Sequence, residues 1–385
     1  MIRSKLPSVG TTIFSVMSDM ARQYNAINLS QGFPDFEVSA KLIRLVDENM
    51  KKGNNQYAPM AGIMPLREMI AQKTEELYKA KYNPEKEITI TAGATQALFT
   101  AISAIIKEGD EVVVFEPAYD SYVPAIIVNG GTPVYIKLKH PDYTIDWAEV
   151  NRNLTHRTRM IILNSPHNPS GTILSEDDVE KLRKLVSGTK IIILSDEVYE
   201  HIIFDNQKHL SLTSYPDLYE RTLTISSFGK TFHTTGWKMG YCVGHEDLMK
   251  EFRKLHQFIV YAVNTPIQYA VAEFLKHREE YLDLNSFYQE KRDYFIKLLQ
   301  NTKYKIIPSK GTYFQSLDYS AISELDDKEF SIELTQKHGI ASIPMSVFYH
   351  DKIKSNVLRF CFAKSNDTLE KAVERLIKAS NSIKQ

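Results

Sequence analysis

The sequence predicts an α/β fold in which a mostly parallel, seven-stranded sheet carries helices on both faces and a smaller α+β unit follows it. Three observations support this. Seven short β-rich runs recur through the middle of the 385 residues, each followed by a helix-like stretch: ITITAG, EVVVFEP, PVYIKL, RMIILNS, KIIILSDEV, LTISSFG and MGYCVG. Runs such as VVVF and IIIL are apolar at successive positions, as strands buried on both faces must be. After about residue 275 the texture changes.

Taken in order, the first forty or so residues hold too little apolar material for a core of their own and are expected to pack on the C-terminal unit. The strand–helix alternation then builds the large domain. Beyond it, the charged, helix-patterned EEYLDLNSFYQEKRDYFIKLL precedes KYKIIPS and GTYFQSLDY as antiparallel strands, VLRFCFA as a further strand, and a final amphipathic helix. The expected division is an N-terminal arm and part of the small domain at 1–46, the large domain at 47–278 and the C-terminal small domain at 279–385.

Bulk properties narrow the function. With 47 basic and 47 acidic residues, no net field draws the chain to nucleic acid or to an acidic membrane, and a small-molecule partner is favoured. Hydrophobic content of 43% and charged content of 24% are those of a soluble globular protein. Cys242 and Cys361 stand far apart in apolar runs, without zinc spacing, and suit a reducing cytoplasm. Neither an export signal nor a membrane span is read, since the most apolar runs are far too short to cross a bilayer.

Ligands of such sheets collect beyond the carboxyl ends of the strands, and the chemistry-bearing residues fall there: Gly93, Tyr119, Asn164, Asp196 and Ser227 each follow or end a predicted strand. A lone lysine is ordinarily solvated, but Lys230 follows Ser-Phe-Gly where the chain turns over the sheet, a place for an imine-forming nucleophile. The alternative reading of GKT as a nucleotide phosphate loop requires glycine at 224, where this chain has Thr224. Asp196 at the mouth of IIILS is either a local cap or ion pair beside Glu197, or the acid that keeps a pyridine nitrogen protonated. Tyr199, three residues on, is either a half-buried core residue or a donor to the 3′ oxygen of the same ring. Glu197, Glu200 and His201 invite a metal, but no second histidine stands at HExxH spacing, so none is expected. AGATQALFTAI opens a helix whose N-terminus offers donors to a phosphate, to which Ser227 and Lys238 can add a hydroxyl and a charge. Arg359 in the apolar strand VLRFCFA needs an anion, either a structural carboxylate or that of a substrate. An amine, a carboxylate, a phenol and the amide Asn168 are together what a pyridoxal phosphate site requires.

The ordered motifs LSQGFPDF, NQYAPMAG, TAGATQAL, EPAYDSY, NSPHNPSG, SDEVYE, SSFGKTFHTTGWKMGY and LRFCFAK resemble those of the fold type I, class I/II aminotransferases, in particular the methionine and kynurenine aminotransferase (glutamine transaminase K-like) branch. The resemblance runs from about residue 7 to 380. It implies a pyridoxal 5′-phosphate enzyme with ping-pong transfer of an amino group between an amino acid and a 2-oxo acid. Lys230 would hold the cofactor as an imine and then shuttle the proton. Asp196 would pair with the pyridine nitrogen, Asn168 and Tyr199 with the 3′ oxygen, and Tyr119 would stack on the ring. Ala94, Thr95, Ser227 and Lys238 would hold the phosphate, with Tyr57 reaching across from the second subunit of a homodimer. Arg359 would clamp the α-carboxylate, helped by Asn164 or Asn168 and the backbone of Gly32.

For the side chain, the resemblance places Phe14, Tyr261 and Phe348 in the pocket wall, each of which can equally be plain core packing. Members that prefer acidic substrates carry an arginine near the stretch that here reads HQFIVYAVNTP, and none stands in it, so methionine, aromatic residues, glutamine or kynurenine are expected as donors. His167 replaces an asparagine or threonine of many relatives with little expected effect. Thr95 replaces a tyrosine frequent in kynurenine-type relatives, which is expected to alter the pocket floor and counts against kynurenine. Two other functions use similar sequences: a β-lyase acting on cysteine conjugates, and a non-catalytic regulator. The second usually adds a basic DNA-binding module, against which the neutral charge argues.

Overall fold

The computed structural model describes residues 3–382, so the outermost ends of the terminal spans, 1–2 and 383–385, lie outside the described residues. All seven expected runs form one sheet, in the spatial order Ile88–Thr91, Gly240–Gly244, Thr222–Ser227, Ile192–Asp196, Thr158–Asn164, Glu111–Glu116, Thr132–Lys137. Every neighbouring pair is parallel except those made by Gly240–Gly244, which runs antiparallel to both of its neighbours.

The doubly apolar runs have a direct structural meaning. Side chains alternate across a strand, and Val113 and Phe115, Ile161 and Leu163, and Ile193 enter a core on one face. Their neighbours Val112 and Val114, Met160 and Ile162, and Ile192 and Leu194 enter the core on the other. Burying each such side chain stabilises the fold by about 1.5–3 kcal/mol, so the sheet needs both helical layers.

The C-terminal strands Lys305–Ile307, Phe314–Asp318 and Val357–Cys361 pair antiparallel, as their texture suggests. The charged segment before them is two helices, Glu279–Leu282 and Leu284–Leu299, and the last helix spans Asn366–Ser382. Ile343–Pro344 adds a fourth strand to this sheet, and Ile27–Asn28 pairs parallel with Ile340–Ala341. At two residues each, these strands are too short to leave a period in the sequence. The second pairing fastens the N-terminal segment to the C-terminal one, helped by the Cys361 N–H donating to Leu29 O at 2.8 Å. This brings Ser30 O to 3.0 Å from Arg359 Nη2. No helix of the described residues is long and apolar enough to cross a membrane.

Candidate active site

The carboxyl ends of the sheet strands enclose a cavity of about 160 Å³. Its lining includes Ala94, Thr95, Tyr119, Asn164, Asn168, Asp196, Tyr199, Ser227, Lys230 and Lys238. Residues separated by up to 144 positions thus converge, because most follow or end a parallel strand of one sheet and Lys238 leads into the antiparallel strand Gly240–Gly244.

One end of the cavity is built for an anion. Gly93, with φ +79°, is the N-cap of the helix Ala94–Ile105 and offers no side-chain oxygen to the first-turn N–H groups. A Cβ on Gly93 would lie 3.3 Å from Lys238 Cε, and one on Gly240 would lie 3.1 Å from both Ala94 N and Gly93 C. The glycines therefore let the cation and the strand close on the helix start. Lys238 makes no ion pair among the described residues.

At the other end Asp196 is buried beneath the cavity. Its Oδ2 accepts the Tyr122 hydroxyl at 2.6 Å and its Oδ1 the Val198 N–H at 3.3 Å, and burial raises its pKa to about 6. Among the described residues it forms no ion pair, and the local-cap reading accounts for only one of its contacts. Glu197 and Glu200 are both occupied elsewhere: Glu197 by Ser195, His209 and the Leu212 N–H, Glu200 by Lys73, Tyr78 and Tyr241.

Lys230 Nζ donates to Tyr313 Oη at 2.8 Å and to Gly32 O at 3.1 Å. Burial, with Arg359 and Lys238 nearby, lowers its pKa to about 8, so a substantial neutral fraction exists at physiological pH. A Cβ on Gly32 would come within 2.7 Å of the Phe314 ring, which explains the glycine at this close approach.

Arg359 decides between the two anions considered for it. The side chain is 1% exposed, its Nη1 donates to Asn168 Oδ1 at 2.7 Å, its Nη2 to Ser30 O at 3.0 Å, and its Nε is buried without a partner. Phe14, Phe314 and Phe348 surround the guanidinium at 5.3, 3.9 and 5.3 Å. No carboxylate pairs with it among the described residues, and burial lowers its pKa to about 10. An unpaired buried guanidinium is costly, and this counts against a structural carboxylate as the partner of Arg359.

Asn164 lines the cavity and is braced by two bonds. Its Nδ2 donates to Asp196 O at 2.9 Å and its Oδ1 accepts the Asn168 N–H at 2.8 Å, so it ties two strand ends together. Asn168, whose Oδ1 serves Arg359, keeps its amide N–H groups for the cavity.

An uncapped helix start beside a lysine, a buried carboxylate, an amine and a phenol form a donor set that fits pyridoxal phosphate: one pole for the phosphate, the other for the ring nitrogen. The class I and II aminotransferase family matches residues 24–376. The chain belongs to this family. Methionine aminotransferase of Escherichia coli strain K12 is 50% identical over 375 residues, 97% of each chain. A kynurenine–oxoglutarate transaminase of Dictyostelium discoideum is 34% identical, over 96% of this chain and 94% of its own. A crystal structure of an Escherichia coli protein described as having methionine aminotransferase function superposes with a TM-score of 0.96 at 49% identity, covering 98% of this chain and 99% of that one. This aminotransferase has fold type I and depends on pyridoxal phosphate.

Of the residues expected at the site, Gly32, Arg359, Phe14, Phe348, Tyr57 and Tyr261 do not line this cavity in the single chain, although Gly32 and Arg359 bond to the lining residues Lys230 and Asn168. Tyr57 is 83% exposed and Tyr261 53% exposed, and they pack edge-on against each other at 5.3 Å. Tyr261 lies just past the end of the helix Glu246–Ile259, where a φ of +65° turns the chain outward. Phe14 and Phe348, by contrast, meet at 6.0 Å beside Arg359. Sequence reasoning missed Tyr122 and Tyr313. Tyr122 had a usable signal, standing three residues after Tyr119 in EPAYDSY. Tyr313 had none, since it lies 83 residues beyond Lys230, just before the strand Phe314–Asp318.

Proposed function

We propose that this aminotransferase takes the amino group from methionine and related neutral amino acids, and that the cavity residues have the roles the resemblance implies. The observation that carries the reading is the buried Arg359 guanidinium, which has an unpartnered Nε and lies between Phe14 and Phe348. Charge-assisted bonds from Arg359 hold the substrate's α-carboxylate, and the phenyl rings beside it meet an apolar side chain. Identity to the methionine aminotransferase supports the thioether, and the absence of arginine from residues 256–266 weighs against acidic substrates.

Ala94, Thr95, Ser227 and Lys238 would hold the cofactor's phosphate, and Asp196 would keep a proton on its ring nitrogen. Asn168 and Tyr199 would donate to its 3′ oxygen, and Tyr119 would cover the ring face. Bound there, pyridoxal phosphate supplies an aldehyde for amines and a cationic ring that accepts an electron pair from the substrate's α-carbon. Lys230 Nζ, neutral in part near pH 8, would take that carbon's proton. Gly32 O and Tyr313 Oη hold the amine in place between transfers.

A homodimer completes this picture. Tyr57, Tyr261 and Phe258, the last 86% exposed, leave an aromatic patch for a second copy, from which Tyr57 would reach the phosphate. Free, buried Cys242 and Cys361 favour the reducing cytoplasm.

The test is a half-reaction screen that follows the bound-cofactor absorbance as each amino acid is added singly. Methionine should discharge the band fastest, with aromatic residues next. Pyruvate and ammonia released from cysteine conjugates, without oxo-acid exchange, would instead establish the β-lyase. Lys230→Ala should lose turnover and the cofactor's imine absorbance while keeping its fold.

A further inference from the structure

Phe348 is carried on a short turn, Met345–Phe348, that belongs to the C-terminal part of the chain, whereas the cavity belongs mainly to the large sheet. A wall so mounted is only as well placed as its anchors. One anchor lies within the C-terminal part itself, where Asp327 accepts the Ser346 N–H at 2.7 Å and its hydroxyl at 2.6 Å.

The other crosses to the large sheet. Glu116, last residue of its strand and 2% exposed, accepts the His350 backbone N–H at 2.6 Å and makes a second bond to His350 Nδ1 at 2.9 Å. The Ala118 N–H donates to Phe348 O at 2.8 Å in the opposite sense. The imidazole stacks on Tyr135 of the adjacent strand at 3.7 Å with an interplanar angle of 2°. Its Nε2 lies 3.1 Å from Asp351 Oδ1, and Asp351 also meets Lys137 at 3.2 Å. Glu116 and Ala118 lead directly into Tyr119 at the cavity, so this contact ties the segment bearing Tyr119 to the turn bearing Phe348.

We propose that Glu116 and His350 form a latch that sets the position of the Phe348 wall, and that they are positioning residues for recognition of the substrate side chain. The proposal rests on the reading of Phe348 as part of that wall. A carboxylate that satisfies a backbone N–H and a ring nitrogen of one residue restrains its position and its orientation together. Loss of the latch lets the Phe348 turn move away from the cavity. Contact is then lost with a side chain long enough to reach the wall, but not with one that stops short of it.

The experiment compares methionine with 2-aminobutyrate, which lacks the methylthio group, in steady-state assays of the holoenzyme. Glu116 is buried and its replacement threatens folding, so the variants are made at His350. His350→Asn keeps an N–H donor near the place of Nδ1, His350→Gln does not, and both lose the stacking on Tyr135. His350→Gln should raise KM for methionine about five- to tenfold, the scale of one such hydrogen bond, with kcat and the KM for 2-aminobutyrate changed less than about twofold. His350→Asn should return the KM for methionine to within about twofold of the parent. Hydrogen exchange in residues 345–351 of the cofactor-free chain should quicken in His350→Gln only. Equal effects of the two variants, or equal rises in KM for both substrates, would overturn the latch. If Phe348→Ala alters methionine recognition while His350→Gln does not, the latch fails and the wall stands. If Phe348→Ala leaves the ratio of the two substrates unchanged, the wall reading fails and the latch with it.

Discussion

Asp196 shows how a single residue trades stability for chemistry. Burial moves its carboxyl from 3.8 to about 6, which at neutral pH costs the cofactor-free chain on the order of 3 kcal/mol. Its folded-state pKa is raised, so its contribution is most favourable below about pH 4 and is lost as the pH rises through about 6. Asp196→Asn should therefore raise the urea midpoint of the cofactor-free chain at pH 7 while abolishing transamination, and its advantage should vanish near pH 4. Comparing unfolding at the two pH values checks this. Lys230 has the opposite sign. Its lowered folded-state pKa means that the cost of a buried ammonium falls as the pH climbs from about 8 toward 10.5. Arg359→Ala should mainly raise KM for methionine, by the loss of a charge-assisted pair, roughly tenfold or more; an unchanged KM would contradict the carboxylate role. At this scale much was legible in the sequence. Asp196 and Arg359 stand in apolar runs where charge is out of place, and Lys230 follows a buried strand directly; those conflicts announce a function.

At the scale of elements, the approach of the strand Gly240–Gly244 to the start of the helix Ala94–Ile105 sets the anion pole. A Cβ at Gly240 would come within 2.8 Å of Ser226 O and 3.1 Å of Ala94 N, both backbone atoms that cannot swing aside. Gly240→Ala is thus expected to destabilise the fold by about 1–3 kcal/mol. It should also weaken cofactor retention, because the helix start is pushed from the lysine that shares its anion. Equilibrium dialysis against pyridoxal phosphate and a urea titration would measure the two effects. The central strands Glu111–Glu116, Thr158–Asn164 and Ile192–Asp196 were readable because burial on both faces leaves apolar runs, and the others because β-rich runs alternate with helix-like stretches. The pairings Ile27–Asn28 with Ile340–Ala341 and Ile343–Pro344 with Val357–Cys361 were not, since their partners are distant in sequence and two residues carry no period.

For the whole molecule, the exposed aromatic group of Tyr57, Phe258 and Tyr261 sets the expectation. Tyr57 and Tyr261 are in contact and Phe258 lies three residues before Tyr261; large apolar side chains exposed in this way are commonly covered by another protein surface. Phe258→Asp should yield monomers in sedimentation velocity and, by removing the Tyr57 contact from each phosphate, a preparation that loses cofactor on dialysis. A dimer that persists with full cofactor content would show that the second copy docks elsewhere.

The sequence alone determined the layered architecture and the cofactor, and it nominated the residues proposed to meet that cofactor, because each of these depends on local pattern: apolar runs, strand ends, and charges placed where burial makes them expensive. The tertiary structure decided what Arg359 faces, which hydroxyl braces Asp196, where the Lys230 amine rests, and how Phe348 is held against the large sheet. These depend on contacts between segments up to hundreds of residues apart, and no local pattern encodes a distance across the folded chain.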